Sequence, residues 1–247
     1  MKISIITVVY NREETIASSI ASVKSQNFSN IEHIIIDGSS TDNTLKIINQ
    51  ITSAQDKVIS EPDNGIYDAL NKGFSHSTGD IIGLLHSDDY FASNDILGKV
   101  SNAFVNPLID AVYGDLEYVS KKNINRIVRK WTAGKYKETE ISFGWMPPHP
   151  TLFLRREVIE RWGGFDTQYR ISADYDSILR YFVKGKICVE YIPYTFVKMR
   201  TGGESNVSFK NLWIKLYEDY KIIKKNEVGG LLTLTYKNLR KLNQFFK

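Results

Sequence analysis

Two adjacent carboxylates, Asp88 and Asp89, follow the apolar run Ile81-Ile82-Gly83-Leu84-Leu85 through His86 and Ser87. Neighbouring carboxylates repel each other unless a cation or solvent lies between them. A hard divalent ion such as Mg2+ or Mn2+, held by one or two carboxylates together with phosphate oxygens, meets that need. The other reading of the pair is a helix cap, because Asp at a helix start accepts backbone N–H groups. A second apolar run, Ile31 to Ile36, ends at Asp37-Gly38-Ser39-Ser40-Thr41-Asp42, and a third, Ile3 to Val9, ends at Tyr10-Asn11-Arg12. Asp37 can accept a hydrogen bond from a base or a ribose, and Gly38 lets the backbone come close. Asn11 also reads as a turn residue, and Asp42 or Thr41 as a cap. No Ser-His-Asp or Cys-His spacing offers a protein nucleophile. Cys188 is the only cysteine, so an intramolecular disulfide and a cysteine-rich metal site are excluded. Its alternating surroundings, Lys186 to Glu190, place it as a small core residue.

Positioning these groups calls for strands that end together. Short runs rich in Ile and Val are the pattern of parallel strands buried on both faces, and helical segments between them give an α/β sheet. The spacing predicts strands over 3–10, 31–36, 57–60 and at 81–85, with helices over 13–26, 43–52 and 66–75. In open α/β sheets ligands collect outside the carboxyl ends of the strands, so the three polar loops converge on one crevice. Further on, the pattern predicts a helix over 94–104 and a strand over 110–118. Residues 121–136 read as an antiparallel excursion or loop, and 144–150, with three prolines, as irregular. A strand follows at 151–154, helices at 156–162 and 172–184, and a strand at 187–191. The remainder reads as a Gly-rich loop at 198–208 and an amphipathic basic helix at 209–225.

The chain has 247 residues, 42% hydrophobic and 24% charged, as expected of a globular protein rather than a disordered or fibrous one. No apolar run approaches the roughly 18 to 20 residues of a membrane span. The N-terminal run lacks a signal-peptide cleavage site, which suggests a cytoplasmic protein. The formal charge of +4 is uneven: residues 205–247 hold nine Lys or Arg against three acids, leaving the body slightly acidic. An acidic body speaks against a nucleic-acid partner. The interleaved lysines and apolar residues of the tail fit either an anionic membrane surface or a helix packed on the domain.

Taken in order, Thr7-Val8-Val9-Tyr10-Asn11-Arg12, Ile36 to Asp42, Asp63-Asn64-Gly65-Ile66-Tyr67-Asp68-Ala69 with Asn71-Lys72-Gly73, and Gly79 to Asp89 resemble the family 2 glycosyltransferases. The likeness continues through Pro148-His149-Pro150-Thr151-Leu152-Phe153, Gly163-Gly164-Phe165-Asp166 and Ser172-Ala173-Asp174-Tyr175-Asp176. The resemblance implies the GT-A fold: an α/β fold whose mostly parallel nucleotide-binding sheet is flanked by helices and joined to an acceptor-binding half. A GT-A domain would then occupy 1–205, with a nucleotide-sugar-binding half at 1–118 and an acceptor-binding half at 119–205. A basic amphipathic helical tail takes 206–247.

The implied function is inverting transfer of a sugar from a nucleotide-diphosphate donor, a UDP-sugar foremost, to a carbohydrate or lipid-linked acceptor in cell-surface polysaccharide biosynthesis. By the same resemblance Thr7, Tyr10 and Asn11 border the nucleotide, Asp37 contacts the base, and Asp68 and Lys72 lie near the ribose or diphosphate. Asp88 is the metal ligand for Mn2+ or Mg2+, with Ser87 and Asp89 beside the donor. His86 stands where the family's first metal-motif acid often lies, and imidazole there suits a sugar or supporting hydrogen bond better than Mg2+. Asp174 is the implied catalytic base, with Ala173 in place of the usual Glu. His149 could orient an acceptor or phosphate or be structural. Trp145 and Trp162 could form a sugar platform or be buried, and Arg200 could close over the diphosphate. A sugar nucleotidyltransferase would need a Gly-rich, Arg-containing loop after the first strand, where Tyr10-Asn11-Arg12-Glu13 stands. A non-catalytic nucleotide- or carbohydrate-binding module is the remaining alternative.

Overall fold

The computed structural model describes residues 1–202 and 209–240. Four strands, β1 (Ile3–Val9), β2 (Ile31–Asp37), β3 (Lys57–Ser60) and β4 (Ile81–Leu84), lie parallel in the order β3-β2-β1-β4. Val9 stands opposite Asp37, and Asp37 opposite Ser60, so three strands finish level. Their crossovers carry helices α1 (Ile16–Lys24), α2 (Thr44–Ile51) and α3 (Ile66–His76). Burial on both faces is why β1, the inner part of β2 and β4 are rich in Ile, Val and Leu, with only the buried Ser4 and Thr7 polar within β1.

Beyond β4 the sheet becomes mixed. It takes in β5 (Asp89–Phe91), β6 (Ala111–Val119), β7 (Ile127–Trp131), β8 (Phe153–Arg155) and β9 (Val189–Arg200). β8 is antiparallel to both β4 and β6, β6 is parallel to β9, β9 is antiparallel to β5, and β7 folds back on β6 as the expected antiparallel excursion. Helices α4 (Ile96–Ala103), α5 (Glu138–Ile141), α6 (Arg156–Trp162), α7 (Ala173–Leu179), α8 (Phe209–Lys225) and α9 (Leu231–Leu239) complete the described chain.

Two apolar layers cover the sheet. One joins Ile6, Val8, Leu70, Tyr175 and Phe182 to Ile222 and Ile223 of α8, and the other joins Ile3, Ile5, Leu97, Val100, Phe153 and Phe196. Each such side chain contributes about 1.5 to 3 kcal/mol when fully buried. The C-terminal part of the basic helix thus buries Ile222 and Ile223 in the main core. No described helix is long and apolar enough to cross a membrane.

Three expectations are corrected. Asp88 and Asp89 do not cap a helix, since Asp89 opens β5 and α4 starts only at Ile96. The strand expected to end at Tyr191 runs on to Arg200, because its second half pairs with β6 on one side and β5 on the other. Pro193 falls where the β6–β9 register shifts, a place that needs no ladder N–H. Cys188 is exposed, not in the core: β9 begins one residue later, and the Cys188 N–H is held by Asp110 Oδ2 at 2.8 Å in the preceding turn. The rest of the expected Gly-rich loop, 203–208, with the boundary at 205, and the tail's 241–247 lie outside the described residues.

Candidate active site

Local polar contacts tie the ends of β1, β2 and β3 into one rim. Asn11, at φ 49°, accepts the Thr41 N–H on its Oδ1 at 2.8 Å and donates its own N–H to Ser40 Oγ at 2.9 Å. Asp37 is wholly buried; its Oδ2 accepts the Ser60 hydroxyl at 2.6 Å, and its carboxylate accepts the Ser40 N–H at 3.2 to 3.3 Å. Gly38 lets the Asp63 carboxylate come close, since a Cβ there would meet Asp63 Oδ2 at 2.3 Å and displace it. Tyr10 is half exposed beside that turn. Thr7 is not on the rim: it is fully buried, with its hydroxyl 3.0 Å from His33 Nε2. On the far side of the rim Asp68 Oδ2 accepts the Asn64 N–H at 2.9 Å, and Lys72 joins Glu61 at 2.9 Å and the Pro62 carbonyl at 2.6 Å.

The two acids after β4 have different surroundings. Asp88 makes no side-chain hydrogen bond or ion pair among the described residues, and its carbonyl accepts Arg200 Nη1 at 2.6 Å. Arg200 also donates to Ser18 Oγ at 2.9 Å and lies 4.8 Å from the Tyr90 ring centre, so it braces the motif from the end of β9. Asp89 is fully buried with neither carboxylate oxygen hydrogen-bonded. Burial and the neighbouring Asp88 push its pKa well up, against the opposing pull of Arg200. Ser87 is buried beside them.

An uncommitted carboxylate next to a buried orphaned one is a hard-oxygen site that a divalent cation suits. No described group of three or more His, Cys, Asp or Glu residues forms a metal cage. A cation there would therefore need oxygens from a ligand as well, the usual arrangement for Mg2+.

Asp174 sits in the first turn of α7 with its side chain largely covered. His149 Nδ1 lies 3.2 Å from its Oδ2, and His149 Nε2 lies 3.2 Å from His86 Nε2. With Asp174 ionised and both imidazoles neutral, one pair of tautomers puts a single proton in each gap: His149 donates through Nδ1 and His86 through Nε2. Burial alone would raise the Asp174 pKa, but the His149 contact, Lys237 and Lys215 together hold it far below the usual carboxylate range. Burial and His149 push His86 down to about 4, while the charges of both Asp88 and Asp174 act on it in the opposite direction. His86 is thus within electrostatic reach of both acids.

Tyr67 completes this cluster. Its hydroxyl bonds the Ile171 carbonyl at 2.6 Å and lies at the longer distance of 3.3 Å from Asp174 Oδ1. One hydroxyl carries one proton, so the Ile171 contact is the stronger of the two.

Sequence reasoning did not anticipate the His86–His149–Asp174 line, Tyr67, or Glu218, whose carboxylate accepts three backbone N–H groups just before α7. The only available signals were His86 in the acidic motif and His149 between prolines. Trp145 is buried and bonded through Nε1 to the Ala133 carbonyl at 2.9 Å, so it belongs to the packing. Trp162 is partly buried and packs against the same core.

Comparison with known proteins follows the same lines. The family model described as Glycosyl transferase family 2 matches residues 4–163. An uncharacterised glycosyltransferase of Mycobacterium tuberculosis is 30% identical over 194 residues, 72% of this chain and 68% of the relative. A PGL/p-HBAD biosynthesis glycosyltransferase of the same organism is 28% identical, over 86% of this chain and 82% of that protein. Among solved structures, S. aureus TarS residues 1–349 in complex with UDP-GlcNAc superposes with a TM-score of 0.67 at 18% identity, covering 100% of this chain and 73% of that one. A mannosyltransferase from Pyrobaculum calidifontis, in complex with GDP-Man and Mn2+, gives a TM-score of 0.66 at 17% identity, covering 91% of this chain. The present chain spans 63% of that mannosyltransferase's length. These structures share the GT-A fold described above. The motif at 172–176 lies beyond the matched stretch of the family model.

Proposed function

The chain belongs to glycosyl transferase family 2, and from that premise we propose that it transfers a sugar, with inversion and with a divalent metal, from a nucleoside diphosphate to a carbohydrate or lipid-linked hydroxyl in cell-surface glycan assembly. The observation that carries this reading is the His86–His149–Asp174 line, which begins two residues before Asp88 and ends on the Asp174 carboxylate, and so connects the acid suited to a cation with the acid suited to a base. The nucleotide would lie along Tyr10, Asn11 and the Asp37–Gly38 turn, with Asp68 and Lys72 toward its ribose or diphosphate. The relatives with UDP-GlcNAc and with GDP-Man and Mn2+ support a nucleotide-sugar donor.

In the reaction the acceptor oxygen bonds to the anomeric carbon as that carbon's bond to the diphosphate oxygen breaks. Asp174 Oδ1 takes the acceptor proton, while His149 holds Oδ2 and fixes the carboxylate plane. Asp88, with Asp89 behind it, would hold Mn2+ or Mg2+, which when bound neutralises charge on the leaving diphosphate.

A donor panel of UDP-Glc, UDP-Gal, UDP-GlcNAc and GDP-Man, read by thermal shift and by nucleotide release with Mn2+, Mg2+ or EDTA, tests the reading. At least one donor is expected to raise Tm in a metal-dependent way. Absence of any shift with every pairing would overturn the donor site.

An anionic membrane surface is the proposed location of the acceptor. α9 turns its polar Thr233 and Lys237 inward and leaves Leu231, Leu232, Tyr236 and Leu239 exposed, while Trp213 and Tyr217 of α8 are exposed among Lys210, Lys221 and Lys224. Co-flotation with phosphatidylglycerol vesicles, weakened in the L231E/L232E double variant, is the expected result. Equal flotation of both proteins, or of neither, would remove this part of the proposal.

A further inference from the structure

Glu218 lies on α8, outside the stretch matched by the family model, and is almost fully buried. Its Oε1 accepts the Arg170 N–H at 2.7 Å, and its Oε2 accepts those of Ile171 at 2.9 Å and Ser172 at 3.0 Å. Three consecutive amides therefore converge on one carboxylate, and charge-assisted bonds of this kind are about twice as strong as neutral ones. The same Ile171 is held from its other side by Tyr67, whose hydroxyl bonds its carbonyl. Asp174 follows two residues after Ser172, in the first turn of α7.

The tail grips the neighbourhood at two further points. Lys237 of α9 is buried 2.7 Å from Asp219 and lies 3.5 Å from the ring centre of Tyr175, the residue after Asp174. Lys215 pairs with the other oxygen of Asp219 at 2.7 Å. Gly144, in the loop leading to His149, has φ +73°, and a Cβ there would stand 2.4 Å from the backbone of Lys237. Both members of the Asp174–His149 pair thus rest against elements that the tail presses upon.

We propose that Glu218 is a positioning residue for Asp174: by locking residues 170–172 it sets where α7 begins, and so holds the carboxylate in register with His149. This rests on the reading of Asp174 as the base. Transfer then depends on Glu218, whereas binding of the nucleotide at the β1–β2–β3 rim does not.

The test compares wild type with E218A, E218Q and D174N by two readings. Nitrogen-15 NMR of the histidine rings, with His149 identified from an H149Q spectrum, reports its tautomer without any substrate. Steady-state kinetics with whichever donor of the panel is turned over reports kcat and KM. In wild type His149 is expected to carry its proton on Nδ1. E218A is expected to move the ring toward the Nε2–H form and to lower kcat tenfold or more, with KM for the nucleotide sugar within twofold. E218Q, which keeps one accepting oxygen for Ile171 and Ser172 but sets an NH2 donor against the Arg170 N–H, is expected to fall between wild type and E218A in both readings.

An E218A protein with the wild-type tautomer and kcat would overturn the proposal, as would a risen KM with kcat unmoved. If E218A lacks the wild-type circular dichroism spectrum, E218D replaces it, with the same two readings and the same expected directions. A D174N variant with wild-type kcat would overturn the base assignment, while the NMR reading would still judge Glu218.

Discussion

The two halves of the proposed site are built differently. The rim at the ends of β1, β2 and β3 is held by contacts within and between neighbouring βα units: Ser40 to Asp37 inside one turn, Asn11 to Thr41 and Ser60 to Asp37 between units. The other half brings together His86, His149, Asp174, Tyr67 and Glu218, which come from five separated parts of the chain. A side built from adjacent loops survives local change in the other. The comparison therefore predicts that ligand binding and proton transfer can be lost separately.

The sharpest way to break that division is D174N. It is expected to lower kcat by about 10²- to 10⁴-fold, while the metal-dependent thermal shift with the donor stays intact. Loss of the shift would show that the two sides act as one. D88N should do the reverse, weakening the donor shift with Mn2+ by a factor of about 10² in affinity and leaving the His149 tautomer unchanged. H149Q should lower kcat by roughly ten- to a hundredfold through a misplaced carboxylate, with KM for the donor moved less than twofold.

The smallest effect concerns stability beneath the rim. His33 is buried against Thr7, and its pKa is pushed down to about 4 chiefly by burial. Between about pH 6.5 and 4 the unfolded chain binds a proton there that the folded chain does not. Stability is therefore full above pH 6.5 and falls as pH drops through that window, by about 3 kcal/mol for this group. His86 has the same direction and adds to the slope. Urea denaturation across pH 4 to 7 should show a shallower decline for H33Q.

How much of this was legible from residues alone differs between the two sides for a physical reason. Three of the four parallel strands, β1, β2 and β4, announce themselves because burial on both faces demands runs rich in Ile, Val and Leu. The level strand ends then follow from the α/β pattern, and with them the positions of Asn11, Asp37 and Asp88. Thr7 lies off the rim because its hydroxyl turns to His33 of β2, two positions from its register partner Ile35, a contact that no spacing along the chain reveals. Cys188 was misjudged because its strand starts at Val189, two residues later than the expected 187. The second half of β9 was hidden by Pro193 and two glycines, since its pairing partners, β5 and the end of β6, lie some 75 to 110 residues away in the chain.

The sequence by itself determined the parallel sheet, the order of its polar loops and the placing of Asp88 just after one of its strands, because these rest on local periodicity and on motifs contained within single loops. Only the tertiary structure decided that His86 and His149 stand in line with Asp174, that Tyr67 bonds the Ile171 carbonyl more closely than Asp174, and that the tail reaches back through Glu218. Those contacts join residues separated by 25 to 107 positions. Nothing in the spacing of residues encodes a contact that exists only once the layers have packed.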